Sequence, residues 1–155
     1  MISATGRPVS DQELVVSRTF AARRDLVYRA WTEPANVVRW WGPVDCPAEH
    51  IELDLRVGGT WRARMRATAD GRELRPGGVF REVVPSERLV FTFAWDEPGE
   101  RGQETVVTVI FVEQGTGTRV TLHQTPFRSL AERDGHVYGW SSTFDRLSTH
   151  LATSA

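Results

Sequence analysis

The sequence predicts an α+β fold: a bent antiparallel β-sheet wrapped around one long C-terminal helix, with two short helices after the first strand. Three observations carry this expectation. From Pro47 to Gln124 the chain reads as strand after strand, separated by turn residues. From about Ser129 to Leu151, Val137, Trp140, Phe144, Leu147 and Leu151 recur at i+3/i+4 spacing, which makes one apolar helix face. A sheet with one apolar face needs a cover, and this helix is the only large cover available.

Each element has its own signal. Residues 1–11 are polar with Gly and Pro and are expected to form a flexible tail; the single domain is expected to span 12–155. Glu13–Phe20 is rich in β-branched and aromatic residues and predicts a strand. Arg24–Trp31 places Leu26, Val27, Ala30 and Trp31 at helical spacing. Pro34 suits the first turn of a second short helix, which carries Val37, Val38, Trp40 and Trp41 and stops at Gly42-Pro43. Pro47–Leu55 alternates, Gly58-Gly59 turns, and Thr60–Ala67 sets Trp61, Ala63 and Met65 against Arg62, Arg64 and Arg66. Val79–Val84 and Arg88–Trp95 follow, and Glu104–Val112 pairs with Thr118–Gln124 around Gly115-Thr116-Gly117.

Composition bounds the function. The 155 residues suit one domain with a real core, and a net charge of −1 supplies no basic field for nucleic acid or an anionic membrane. All 19 basic residues are arginine, so lysine chemistry (Schiff bases, P-loops) is excluded. A single cysteine, Cys46, excludes an internal disulfide and fits a reducing compartment. The first residues show no apolar signal region and no run is long enough to span a bilayer, so a cytoplasmic location is expected.

The adjacent tryptophans Trp40 and Trp41 are the sharpest local feature. Neighbouring helical positions point about 100° apart, so both rings cannot serve one core face. One packs inward and the other lines a gap at the edge of the fold.

Catalytic patterns are sparse. His50, His123, His136, His150 and Cys46 show no metal-site spacing, so no metal and no cofactor are expected. No nucleophile elbow exists, Cys46 lacks a neighbouring His, and the glycine pairs precede no helix. Two candidate acid–base residues remain. His136 lies four residues before Trp140, on the same side of the helix. Glu82 shares its strand face with Phe80 and Val84 and is a candidate base if that face points inward. His123 is expected to face solvent or a neighbouring strand, and Asp54 and Arg56 to be structural. Gly139, inside the long helix, reads first as a close approach to the sheet and second as room for a ligand.

The ordered set R-T-F-A-A (18–22), L-V-Y-R-A-W-T-E-P (26–34), R-W-W-G-P (39–43), D-L-R-V-G-G-T-W-R (54–62), G-V-F-R-E-V-V-P-S-E-R-L-V-F-T (78–92) and H-V-Y-G-W (136–140) resembles the START-like or Bet v 1-like (SRPBCC) helix-grip superfamily. Within it, the chain resembles the bacterial single-domain proteins grouped with the C-terminal domain of the activator of Hsp90 ATPase. Arg23 stands where the family usually has a proline opening the first helix. The eukaryotic co-chaperone carries a separate N-terminal Hsp90-binding domain for which these residues leave no room, so co-chaperone activity is not the leading expectation.

The resemblance implies a cavity between helix and sheet. Its expected walls are Trp61, Met65, Phe80, Phe91, Phe93, Trp95, Trp140 and Phe144, with Trp40 or Trp41 at the mouth. The leading expectation is binding of a small hydrophobic or aromatic molecule, in a carrier, sequestration or resistance role, by a monomer or homodimer. The alternatives are a cofactor-independent cyclase, dehydratase or isomerase on a polyketide-like substrate, and a protein-interaction domain.

Overall fold

The structure is a computed structural model, and it describes residues 11–153. The expected tail, apart from Asp11, lies outside the described residues. The element order is β1 (Leu14–Phe20), α1 (Arg24–Thr32), α2 (Pro34–Val37), β2 (Ala48–Leu53), β3 (Thr60–Arg66), β4 (Glu73–Leu74), β5 (Pro76–Val84), β6 (Arg88–Trp95), β7 (Thr105–Gln114), β8 (Gly117–Thr125) and α3 (Leu130–Thr153). A 3-10 turn over Glu100–Gly102 breaks the β6–β7 connection.

All strand pairs are antiparallel, in the order β1-β8-β7-β6-β5-β3-β2, with the short β4 beside β3. The sheet curls around α3, which gives the helix-grip α+β architecture. Alternation decides the two faces: Trp61, Ala63 and Met65 of β3 are buried while Arg62 is exposed and Arg64 and Arg66 reach outward to Glu49 and Glu73. From α3, Trp140, Phe144, Leu147 and Leu151 are buried and Val137 is half-buried, so the predicted stripe faces the sheet.

The second helix is shorter than its apolar pattern suggests. α2 ends at Val37, and Val38–Trp40 continue as turns. Gly42, at φ +90°, reverses the chain; a Cβ there would lie 2.5 Å from the Cys46 carbonyl oxygen, so this turn needs glycine. Four of the next helix's contacts pin this segment. The Arg146 guanidinium donates to the carbonyls of Arg39, Trp40, Trp41 and Gly42 at 2.8–3.3 Å.

Among the described residues, no helix is long and apolar enough to cross a membrane.

Candidate functional site

A cavity of about 250 Å³ opens between the N-terminal half of α3, the Trp41–Cys46 turn, and strands β3, β4 and β6. Its rings come from Trp41, Phe93, Trp95, Tyr138 and Trp140, and its softer walls from Met65 and Leu74. Five of the expected wall residues meet here: Trp41, Met65, Phe93, Trp95 and Trp140.

The other five sit elsewhere. Trp61, Phe80 and Phe91 line a separate void of about 20 Å³, the size of one water, to which Trp41 also contributes. Trp40 is fully buried and lines neither space. Its indole N–H donates to the Ala30 carbonyl at 3.0 Å, and its ring meets Trp31 edge-on at 4.8 Å. The tryptophan pair thus divides as adjacent positions must: Trp40 is core and Trp41 is wall. Phe144 is also solid core, fixed between Phe20 and Trp31 at 5.7 and 6.1 Å.

The hollow persists because α3 withholds side chains there. Gly135 and Gly139 are one helical turn apart and both line the cavity, and a Cβ added to either meets nothing within 4 Å. The close-packing reading of Gly139 is therefore corrected: the glycine leaves space beside the sheet rather than touching it.

Glu82 is corrected as well. It shares parity with the buried Phe80, but the β5–β6 register shifts between Phe80 and Glu82. That bulge turns Glu82 outward. Its carboxylate is half-exposed and lies 3.3 Å from Arg88 Nε. His123 sits on the sheet beside β1, with its Nε2 2.6 Å from Glu13.

His136 does reach the cavity, among the rings of Phe93, Trp95 and Phe127 at 5.0–6.0 Å. The Trp95 indole donates to its Nε2 at 3.1 Å. An indole nitrogen can only donate, so Nε2 holds the lone pair and the ring proton is on Nδ1. Burial and the nearby Arg101 charge pull the imidazole pKa down to about 4, so the ring is neutral. With Nε2 accepting from Trp95 and the Nδ1–H buried without a partner, this histidine has no free lone pair with which to act as a base.

Sequence reasoning missed Glu132 and Arg101. Glu132 lies one turn before His136, its Oε1 3.4 Å from Nε2, and its pKa is raised by burial and by Glu100 and Glu97 against the opposing Arg101. The i, i+4, i+8 spacing of Glu132, His136 and Trp140 was the available signal. Arg101 comes from the β6–β7 connection, stacks 4.5 Å over the Trp95 ring and pairs with Glu97 at 3.0 Å. Cys46 also lines the cavity as a buried thiol with its pKa raised, chiefly by burial. Among the described residues, no three His, Cys, Asp or Glu side chains gather into a metal site.

Solved structures share this fold. An AHSA1 protein of Silicibacter pomeroyi is 26% identical, with a TM-score of 0.80 over 92% of this chain and 99% of its own. A protein of Nitrosomonas europaea is 23% identical, with a TM-score of 0.79 over 95% of this chain and 98% of its own. DynU16, a protein of the dynemicin biosynthetic locus, is 23% identical, with a TM-score of 0.76 over 94% of this chain and 49% of its own. No curated protein matches. The model of the Activator of Hsp90 ATPase homolog 1-like protein family matches residues 21–152, and the chain belongs to that family.

Proposed function

We propose that the protein binds a compact aromatic molecule in the cavity between α3 and the sheet, as a carrier or sequestering protein, without transforming it. One observation carries this reading: a ring-walled cavity kept open by two glycines in a helix. A glycine inside a helix costs about 1 kcal/mol relative to alanine, and space is the return available here. Stacking against such walls adds about 0.5–1.5 kcal/mol per ring pair beyond the area buried.

The volume sets the ligand's size. About 250 Å³ falls just below the usual range of about 300–1,000 Å³ for drug-sized ligands, which suits one or two rings better than a multi-ring polyketide. The protonation of His136 weighs against the enzymatic alternative, because the imidazole has no free lone pair to accept a proton.

Calorimetric titration with 2-phenylethanol and 1-naphthol tests the reading, with each compound recovered afterwards by mass spectrometry. Saturable binding, unchanged compound, and loss of binding in Gly139→Leu are expected. Failure of both compounds to bind, binding indifferent to Gly139→Leu, or recovery of a product would overturn it.

A further inference from the structure

The polar end of the cavity holds a carboxylate, Glu132, that pairs with no arginine among the described residues. Glu132 lines the cavity with its side chain 17% exposed. Its ion-pair neighbour is His136 Nε2 at 3.4 Å, but that nitrogen presents a lone pair, so a neutral His136 offers Glu132 no proton there. Among the described residues, no arginine lies within ion-pairing distance of Glu132. Arg101 is the nearby cation: it ion-pairs with Glu97, Nε lying 3.0 Å from the carboxylate without a hydrogen bond, and its guanidinium stacks on Trp95. Glu97 and Glu100 add further negative potential at Glu132.

A half-buried carboxylate in an apolar wall is unfavourable until a cation or strong donor meets it. The surrounding surfaces favour a cation too. Trp95, Phe93 and Trp140 present rings to the cavity, and aromatic faces attract ammonium groups. An anionic ligand would meet the Glu132 carboxylate, and the only cation of the cavity lining, Arg101, is already ion-paired with Glu97.

We propose that the ligand is an arylalkyl ammonium, its ring held among the cavity aromatics and its protonated nitrogen bound by Glu132. This inference rests on the aromatic-binding reading above and names the polar group of the same ligand class. The tests of the two are separable.

Three probes share a phenylethyl group and differ in the head group it carries: 2-phenylethylamine is cationic, 2-phenylethanol neutral and the slightly larger 3-phenylpropionate anionic at pH 7. Calorimetry on the intact protein should find the amine bound about tenfold more tightly than the alcohol, as expected of a charge-assisted hydrogen bond, and the carboxylate weakest. In Glu132→Gln the amine-to-alcohol affinity ratio should fall to near one. The wild-type series stands alone if that variant does not fold. Equal or tighter binding of the alcohol or the carboxylate overturns the ammonium assignment while leaving aromatic binding intact. A tenfold preference that survives Glu132→Gln overturns the role of Glu132. If no probe binds, both readings fall together.

Discussion

At the end of the interior beneath α1, Trp31, Trp40, Phe111 and Phe144 meet edge-to-face with centroids 4.8–6.2 Å apart and leave no ligand-sized space. At the other end, Phe93, Trp95 and Trp140 border about 250 Å³ of open volume. Both ends use the same kinds of ring, and α3 serves both. They differ in what α3 contributes: Phe144, Leu147 and Leu151 at the packed end, and Gly135 and Gly139 at the hollow end. They differ also in their cover, since α1 closes one end and an irregular strand connection with Arg101 borders the other. A count of aromatic residues therefore does not locate a cavity; the missing side chains opposite them do.

Truncation should give the largest contrast. Trp40→Ala removes a fully buried ring and an indole hydrogen bond, and should cost about 3–5 kcal/mol. Trp95→Ala, at the rim of existing space, should cost less than half as much. Urea melts of the two variants measure this, and equal losses would erase the distinction between the two ends.

Next in size is the pH dependence of the hollow end. His136 is neutral in the folded protein, with a pKa near 4 against about 6.5 unfolded. Between those values the unfolded chain holds more protons, so stability falls as pH drops from about 6.5 towards 4, by at most about 3 kcal/mol. Glu132, whose pKa is raised, works in the opposite direction, and His150, whose pKa is lowered by burial and Arg39, works in the same one. The difference between wild type and His136→Phe across that window isolates His136. Parallel stability curves would show that its burial carries no such linkage.

Smaller still, Gly139→Ala should stabilise the protein by about 0.5–1 kcal/mol, because helix propensity improves and the new Cβ touches nothing. A loss of stability would mean that the space beside Gly139 closes in solution. Glu82→Gln should lie within about 0.5 kcal/mol of wild type, as an exposed partner of Arg88 on the outer face. A larger loss would place Glu82 inside after all.

The architecture was legible because long periodic segments carry it. β6 and α3 begin and end within a residue or two of their predicted limits, and the β3 alternation names its own faces. The site was only half legible. Alternation puts Glu82 on the face of Phe80 but leaves open whether it points inward, and a β-bulge, which leaves no trace in that stretch of sequence, turns it outward. The Trp40–Trp41 pair announces one inward and one lining ring, but which is which depends on how the turns after Val37 rotate the chain. Glu132 stood on a readable helical stripe, yet the stripe was drawn through apolar residues alone. Arg101 reaches the cavity from an irregular connection, where no periodicity reports direction.

The Arg146 clasp bears on how fast a ligand could come and go. By gathering the carbonyls from Arg39 to Gly42, it couples the wall that carries Trp41 to α3. That wall should then act as a fixed jamb, and residence time should be set by the opposite rim, where the connection between β6 and β7 brings Arg101 over Trp95. Stopped-flow dissociation of 2-phenylethanol should therefore quicken in Arg101→Ala at unchanged association rate; a dissociation rate the same as wild type would show that Arg101 does not limit release.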